Sequence, residues 1–377
     1  MNRDRKQNDN KSSANRPFFT CSAIMPKKIV RIRYNEIDNR QQTRYDSIQL
    51  MRGIAALSVV ITHIIMVSNG AFGVDLFFCI SGFIMMYITE KGGKKFLLKR
   101  AVRIIPLYWI AIFATVAMLV VLPQYFRKQV FSLPHLFKSM FFIPSSIVGN
   151  GGEAWSIVEV GWTLICEVFF YIVFYISLKI NHKNRHIISG CILAFVVVIG
   201  FIFGSNTDSD FIRFYCRPIM LEFVLGMILF KLLVSNNNIA VSHTKDKRDY
   251  WKIILAVLIW AFLFTQKYIP FFSGVDRLII WGLPVFAFFV LIFKFFEHHR
   301  VPKPLIVLGD ISYSLYLTHT FVVQPFSRLI YNIDVYSPIG VILTIFVVIP
   351  LCLGVAWVSW YLIENRVTGY LRKKLKI

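Results

Sequence analysis

Apolar residues in this chain come in blocks about twenty residues long, the length at which a helix crosses the hydrocarbon core of a bilayer. Such blocks constrain the fold more than any other feature, because a chain inside lipid must satisfy every backbone N–H and C=O within its own structure. Ten of them follow one another, at 50–68, 72–90, 104–123, 157–178, 187–204, 213–233, 252–269, 276–296, 305–326 and 338–362. The expectation is an all-α polytopic transmembrane helix bundle of about ten spans. Composition agrees: 16% of residues are charged and 56% hydrophobic, against about 25% charged in a soluble domain.

The formal net charge of +22 suggests nucleic acid until the positions of the charges are considered. The segments 1–49, 91–103, 179–186, 231–252, 294–303 and 364–377 hold 33 of the 42 Lys and Arg residues. All six lie on one side of a ten-span bundle. That is the positive-inside pattern of a membrane protein, and it puts both termini in the cytosol. Nucleic acid is therefore not an expected partner, and membrane lipid is.

Residues 1–45 are polar and basic with no apolar run of the kind a secretory signal needs. They read as a disordered cytosolic tail, with Met25 and Met51 as alternative starts. A membrane domain over 46–371 and a short basic tail over 372–377 complete the organisation. The long connection 124–155 is expected to lie along the outer interface or to dip back in, since it mixes Pro and Gly with Leu136, Phe137, Met140 and Phe141. The six cysteines form no CxxC and no His/Cys spacing that suits zinc, so they read as buried thiols and no metal is expected.

An ionisable side chain inside a span is costly and needs a reason. Arg52 and His63 share the first span, eleven positions apart, which at about 100° per residue returns to within about 20° of the same face. A cation at the cytosolic mouth and a titratable imidazole deeper in make an entry path. The second span opens with Asp75 and carries Ser81 and Gly82, small residues that suit close helix packing. Arg100 and Arg103 stand three apart just before Pro106, where paired guanidinium forks suit an anionic cytosolic ligand as well as they suit membrane orientation. Glu167 and Glu222 lie in very apolar stretches, and His319 is a second intramembrane imidazole. Each of these serves equally as a polar tether between helices. Together they fit proton transfer beside a charged ligand.

In order along the chain, IQLMRGIAALSVVITH, GVDLFFCISGF, KRAVRIIP, WTLICEVFFY, LEFVLGM and SYSLYLTH resemble the motifs of the acyltransferase 3 family of membrane acyltransferases. The likeness covers Tyr45 to about Leu371. It includes that family's arginine–ten residues–histidine arrangement in Arg52 and His63 and its arginine pair in Arg100 and Arg103. Two departures stand out: Thr318 precedes His319 where an aromatic residue is common, and IENRVTG replaces a frequent glutamate-arginine-proline. The resemblance implies an acyl donor, usually acetyl-CoA, used from the cytosol, and an acceptor hydroxyl on a lipid-linked or surface polysaccharide sugar. It also implies residence in the bacterial inner membrane.

The expected chemistry follows. Arg52, Arg100 and Arg103 bind the donor's phosphates, His63 accepts the proton of the attacking hydroxyl, and Glu167 or Asp75 orients the imidazole. Ser81, Glu222 and His319 are further candidates. A polysaccharide polymerase or flippase would share the spans without a donor site. A proton-coupled transporter would use His63 and Glu167 as a relay.

Overall fold

The computed structural model describes residues 27–65, 70–125, 131–149, 152–204, 207–235, 249–266, 274–329 and 337–377. Two compact units are present, Met1–Gln42 and Thr43–Ile377. Of the segment read as a disordered tail, residues 1–26 lie outside the described residues, and the helical assignment begins at Lys27.

The described chain is helical apart from one small antiparallel hairpin, β1 (Ile147–Gly149) with β2 (Gly152–Ala154). The helices in order are α1 (Lys27–Ile65), α2 (Gly73–Ile88), α3 (Phe96–Val121), α4 (Leu133–Met140), α5 (Trp162–Ile180), α6 (Arg185–Phe203), α7 (Asp210–Tyr215) and α8 (Leu221–Phe230). They continue with α9 (Tyr250–Thr265), α10 (Val275–Arg277), α11 (Leu283–Phe296), α12 (Lys303–Asp310), α13 (Ser312–Leu329), α14 (Pro338–Leu343), α15 (Ile349–Ser359) and α16 (Thr368–Lys374).

Among the described residues, six helical stretches are long and apolar enough to cross a membrane: Tyr45–Ile64, Phe96–Val121, Glu159–Ile180, Arg185–Phe203, Val275–Phe296 and Pro338–Lys374. A seventh forms if α12 and α13, which meet at 69°, count as one broken span. Gly73–Ile88 and Tyr250–Thr265 are apolar but shorter. The stretch expected at 213–233 is divided by short turns at Cys216–Arg217 and by a 3-10 segment, Pro218–Met220, where proline removes a backbone donor.

Within Thr43–Ile377, the Tyr45–Ile64 part of α1 is a buried helix. Met51, Ala55 and Val59, four apart, pack into the main core. Ala56, Val60 and Ile64, also four apart, pack into a second cluster with Leu315, Val348 and Cys352. A helix whose two faces are both covered this way is a core helix rather than a lipid-facing one. By contrast, Arg185–Phe203 buries only Arg185, Ser189, Leu193 and Val197. Exposed side chains such as Phe195, Val120 and Phe346 form an apolar exterior, as expected of a surface facing hydrocarbon.

The crossing of α2 and α8 requires glycine. A Cβ on Gly82 would lie 2.0 Å from the Phe223 carbonyl oxygen, and one on Gly226 would lie 1.9 Å from that of Cys79. The two backbones touch, as small-residue packing permits. Part of the 124–155 connection folds back onto α3. Ser132 caps α4 by accepting from the His135 amide, with Pro134 in the first turn. The Tyr108 hydroxyl then donates to Ser139 O at 3.2 Å and the Trp109 indole to Met140 O at 3.1 Å.

Candidate active site

Arg52, Ser81, Arg100, Arg103 and Glu167 come from four helices and line one cavity, whose empty space is about 740 Å³ with the open solvent at its mouth included. Helical spacing delivers them. Arg100 and Arg103 share a face of α3 near its start, three residues apart. Arg52 projects from α1 and is only 9% exposed. Its Nη1 donates to Gln49 Oε1 at 3.0 Å, and the Gln49 amide donates onward to Asp310. Arg103, Glu364 and Glu167 all act electrostatically on Arg52. Three guanidiniums and one carboxylate, Glu167, line the space itself.

The Nε of Arg100 is buried and has no hydrogen-bond partner. The group lies beside Tyr171 and Glu167. Arg100 also lines the cavity, and a guanidinium there suits an oxyanion, because a fork of N–H donors matches carboxylate and phosphate oxygens. Glu167 Oε1 accepts from Ser81 Oγ at 2.8 Å and from the Tyr171 hydroxyl. Glu364, on the π-helical segment Trp360–Val367, accepts from Ser314 Oγ. The neighbouring Arg366 instead folds over the exposed Tyr361 ring at 4.5 Å.

Tyr316 and Phe77 form the deep wall, with ring centroids 5.5 Å apart. The hydroxyls of Tyr316 and Thr163 are 2.8 Å apart and both reach the Val160 carbonyl. Next to Tyr316 comes His319, at 6.2 Å between ring centroids, and next to His319 comes His63, at 4.9 Å. His63 is half-buried and is not part of the cavity wall. Its Nδ1 lies 2.9 Å from the Val59 carbonyl oxygen one turn earlier. A carbonyl only accepts, so in the neutral ring Nδ1 carries the hydrogen and Nε2 the lone pair.

Neither carboxylate expected to orient His63 bonds to it. Glu167 is held by Ser81 and Tyr171. Asp75 is engaged from both oxygens by Arg277, whose Nη2 is 2.7 Å from Oδ2 and whose Nε is 3.1 Å from Oδ1. Arg277 also stacks 4.6 Å from the Trp281 ring centroid. Glu222, fully buried on α8, sits beside Asp75 and Arg277 rather than at the cavity. A guanidinium within reach outcompetes a neutral imidazole for a buried carboxylate.

Sequence reasoning missed Gln49, Tyr171, Tyr313 and Tyr316. Three had a usable signal in helical spacing: Gln49 precedes Arg52 by three, Tyr171 follows Glu167 by four, and Tyr316 precedes His319 by three. Glu364 stood out only as part of IENRVTG, with no local pattern joining it to Arg52.

Residues 45–362 match the family described as Acyltransferase domain, the acyltransferase 3 family. The chain belongs to that family. It is an acyltransferase with several apolar helices of membrane-spanning length. The exopolysaccharide production protein ExoZ of Rhizobium meliloti (strain 1021) is 34% identical over 268 residues, 68% of this chain and 77% of ExoZ. YrhL of Bacillus subtilis (strain 168), provisionally named a peptidoglycan O-acetyltransferase, is 24% identical over 300 residues, 71% of this chain but only 47% of YrhL. SACOL0978 of Staphylococcus aureus (strain COL), provisionally named an O-acetyltransferase, is 25% identical over 348 residues, 84% of this chain and 56% of that protein. No solved structure matches the acyltransferase.

Proposed function

We propose that this acyltransferase moves an acetyl group from acetyl-CoA, used from the cytosol, to a hydroxyl of a lipid-linked or surface polysaccharide sugar. It does so as a ten-span protein of the bacterial inner membrane with both termini cytosolic. The observation that carries the reading is the cavity itself. It gathers three arginines, one with a spare buried donor, and its deep wall abuts a pair of histidines. A polymerase, flippase or transporter has no need of a site for a CoA donor.

The cavity fits the donor. Arg52, Arg100 and Arg103 would hold its phosphates, and the bound thioester supplies an activated acyl carbonyl. The remaining steps belong to the chain's own residues. The neutral imidazole of His63, with Nδ1–H fixed on Val59 O, takes the proton of the acceptor hydroxyl at Nε2. The hydroxyl oxygen bonds the carbonyl carbon, the carbon–sulfur bond breaks, and sulfur leaves with the electron pair and finally takes the proton from His63. A positioned base of this kind contributes about 10²–10⁴-fold. Glu167, held by Ser81 and Tyr171, keeps Arg100 from collapsing across the pocket. The glycan acceptor draws support from ExoZ, whose name ties it to exopolysaccharide production.

The test uses purified protein in detergent, acetyl-CoA labelled in the acetyl group, and a lipid-linked glycan from the same cells. Label is expected in the glycan with equimolar release of CoA thiol. Thiol release without a labelled glycan, or neither product, contradicts the reading.

A further inference from the structure

His319 has a geometry more specific than packing needs. It is 0% exposed on α13, and its ring meets that of His63 on α1 at 70° between planes. Its Nδ1 lies 3.1 Å from the carbonyl oxygen of Leu315, one turn earlier. His63 does the same with Val59. Both neutral rings therefore carry hydrogen at Nδ1 and a lone pair at Nε2. The Nε2 of His319 is buried and has no hydrogen-bond partner. Buried acceptors are rarely left bare, and a phenylalanine would fill the same apolar space without that cost.

We propose that His319 is the positioning residue for His63. Its ring, edge-on to that of His63, fixes the imidazole, and the buried lone pair at its Nε2 favours the positive charge that forms on His63 during acyl transfer. The inference rests on the acyl-transfer role proposed for His63. In that step the hydroxyl proton passes to Nε2 of His63, the oxygen–carbon bond forms, the carbon–sulfur bond breaks, and the proton ends on the departing sulfur. His63 is cationic in between. Two imidazoles 4.9 Å apart do not both carry charge, so His319 stays neutral and keeps its acceptor.

The surrounding groups leave this part to His319. Glu167 and Asp75 are bound to Ser81, Tyr171 and Arg277. Tyr316 is tied to Thr163 and Val160. The support that a buried carboxylate gives a catalytic histidine elsewhere falls here to a neutral ring.

Three substitutions separate this role from packing. His319→Phe fills the space without polar atoms. His319→Asn carries an amide at the level of Nδ1, and His319→Gln extends an amide oxygen toward the place of Nε2. Each is purified with the wild type and His63→Ala, and kcat, donor KM and thermal stability are measured. The Phe and Asn variants are expected to lose about 100-fold in kcat with donor KM changed less than about threefold, and Gln is expected to return to within about tenfold of the wild type. Should the Phe variant not accumulate, the Gln and Asn variants decide between themselves. Equal kcat in Gln and Asn, or wild-type kcat in Phe, overturns the proposal. So do parallel losses of kcat, donor affinity and stability in every variant. If the wild type and His63→Ala behave as the acyl-transfer reading requires while His319→Phe is normal, only this inference falls. An inactive wild type removes the reading and the inference with it.

Discussion

Two clusters of buried charge occupy this bundle, and they are built in opposite ways. Around the cavity, Arg52, Arg100, Arg103 and Glu167 face empty space, cations outnumber carboxylates, and a guanidinium donor stands unused. Around Asp75 there is no such room. Asp75, Arg277 and Glu222 are 0%, 2% and 0% exposed, and both Asp75 oxygens are engaged by one guanidinium. Helix α2 divides the two. Ser81 turns to the cavity and bonds Glu167, while the adjacent Gly82 is pressed against the backbone of α8. An ionisable residue in an apolar helix is therefore not by itself a sign of chemistry. Space beside it is what separates a ligand site from a tether.

The sharpest separation comes from His63→Ala, expected to reduce acyl transfer by about 10²–10⁴-fold while leaving abundance near normal. Wild-type turnover in the purified variant would make His63 a packing residue. Arg100→Ala with Arg103→Ala comes next. Charge-assisted contacts of about 1.5–3 kcal/mol each predict a rise of a hundredfold or more in donor KM, with acceptor KM little changed. Equilibrium binding of labelled acetyl-CoA checks it, and unchanged affinity would reduce the pair to orientation signals. Asp75→Asn should do the reverse. Removing the charge that Arg277 engages at both oxygens breaks a buried ion pair at about 3–5 kcal/mol of stability, so yield and melting temperature should fall while kcat per folded molecule holds. A variant that is stable but catalytically dead would move Asp75 into the site. Ser81→Ala should have the smallest effect, about 0.5–1.5 kcal/mol of lost hydrogen bonding to Glu167, read as a few-fold change in donor KM.

Much of this was legible in the sequence because membrane helices follow from apolar run length alone. Arg52, Arg100, Arg103, Ser81 and Glu167 each stood out, and the fold brings them to one cavity. Asp75 was legible as costly but not as paired, since Arg277 is 202 residues away in sequence and no local pattern joins them. The contact of His63 with His319 was hidden for the same reason. Span lengths were less legible. Gly73–Ile88 is short and α12–α13 is bent, and both depend on how neighbouring helices pack rather than on hydropathy.

We propose that the arginine-lined cavity admits the donor from the cytosolic face and that the acceptor is modified at the opposite one. Oriented proteoliposomes test it directly, with labelled acetyl-CoA supplied outside the vesicle to the face bearing Arg100 and Arg103, and acceptor glycan sealed within. Label is expected on the sealed glycan, with CoA thiol released on the donor side. Transfer only when donor and acceptor share a face would contradict the account and leave a one-sided active site in its place.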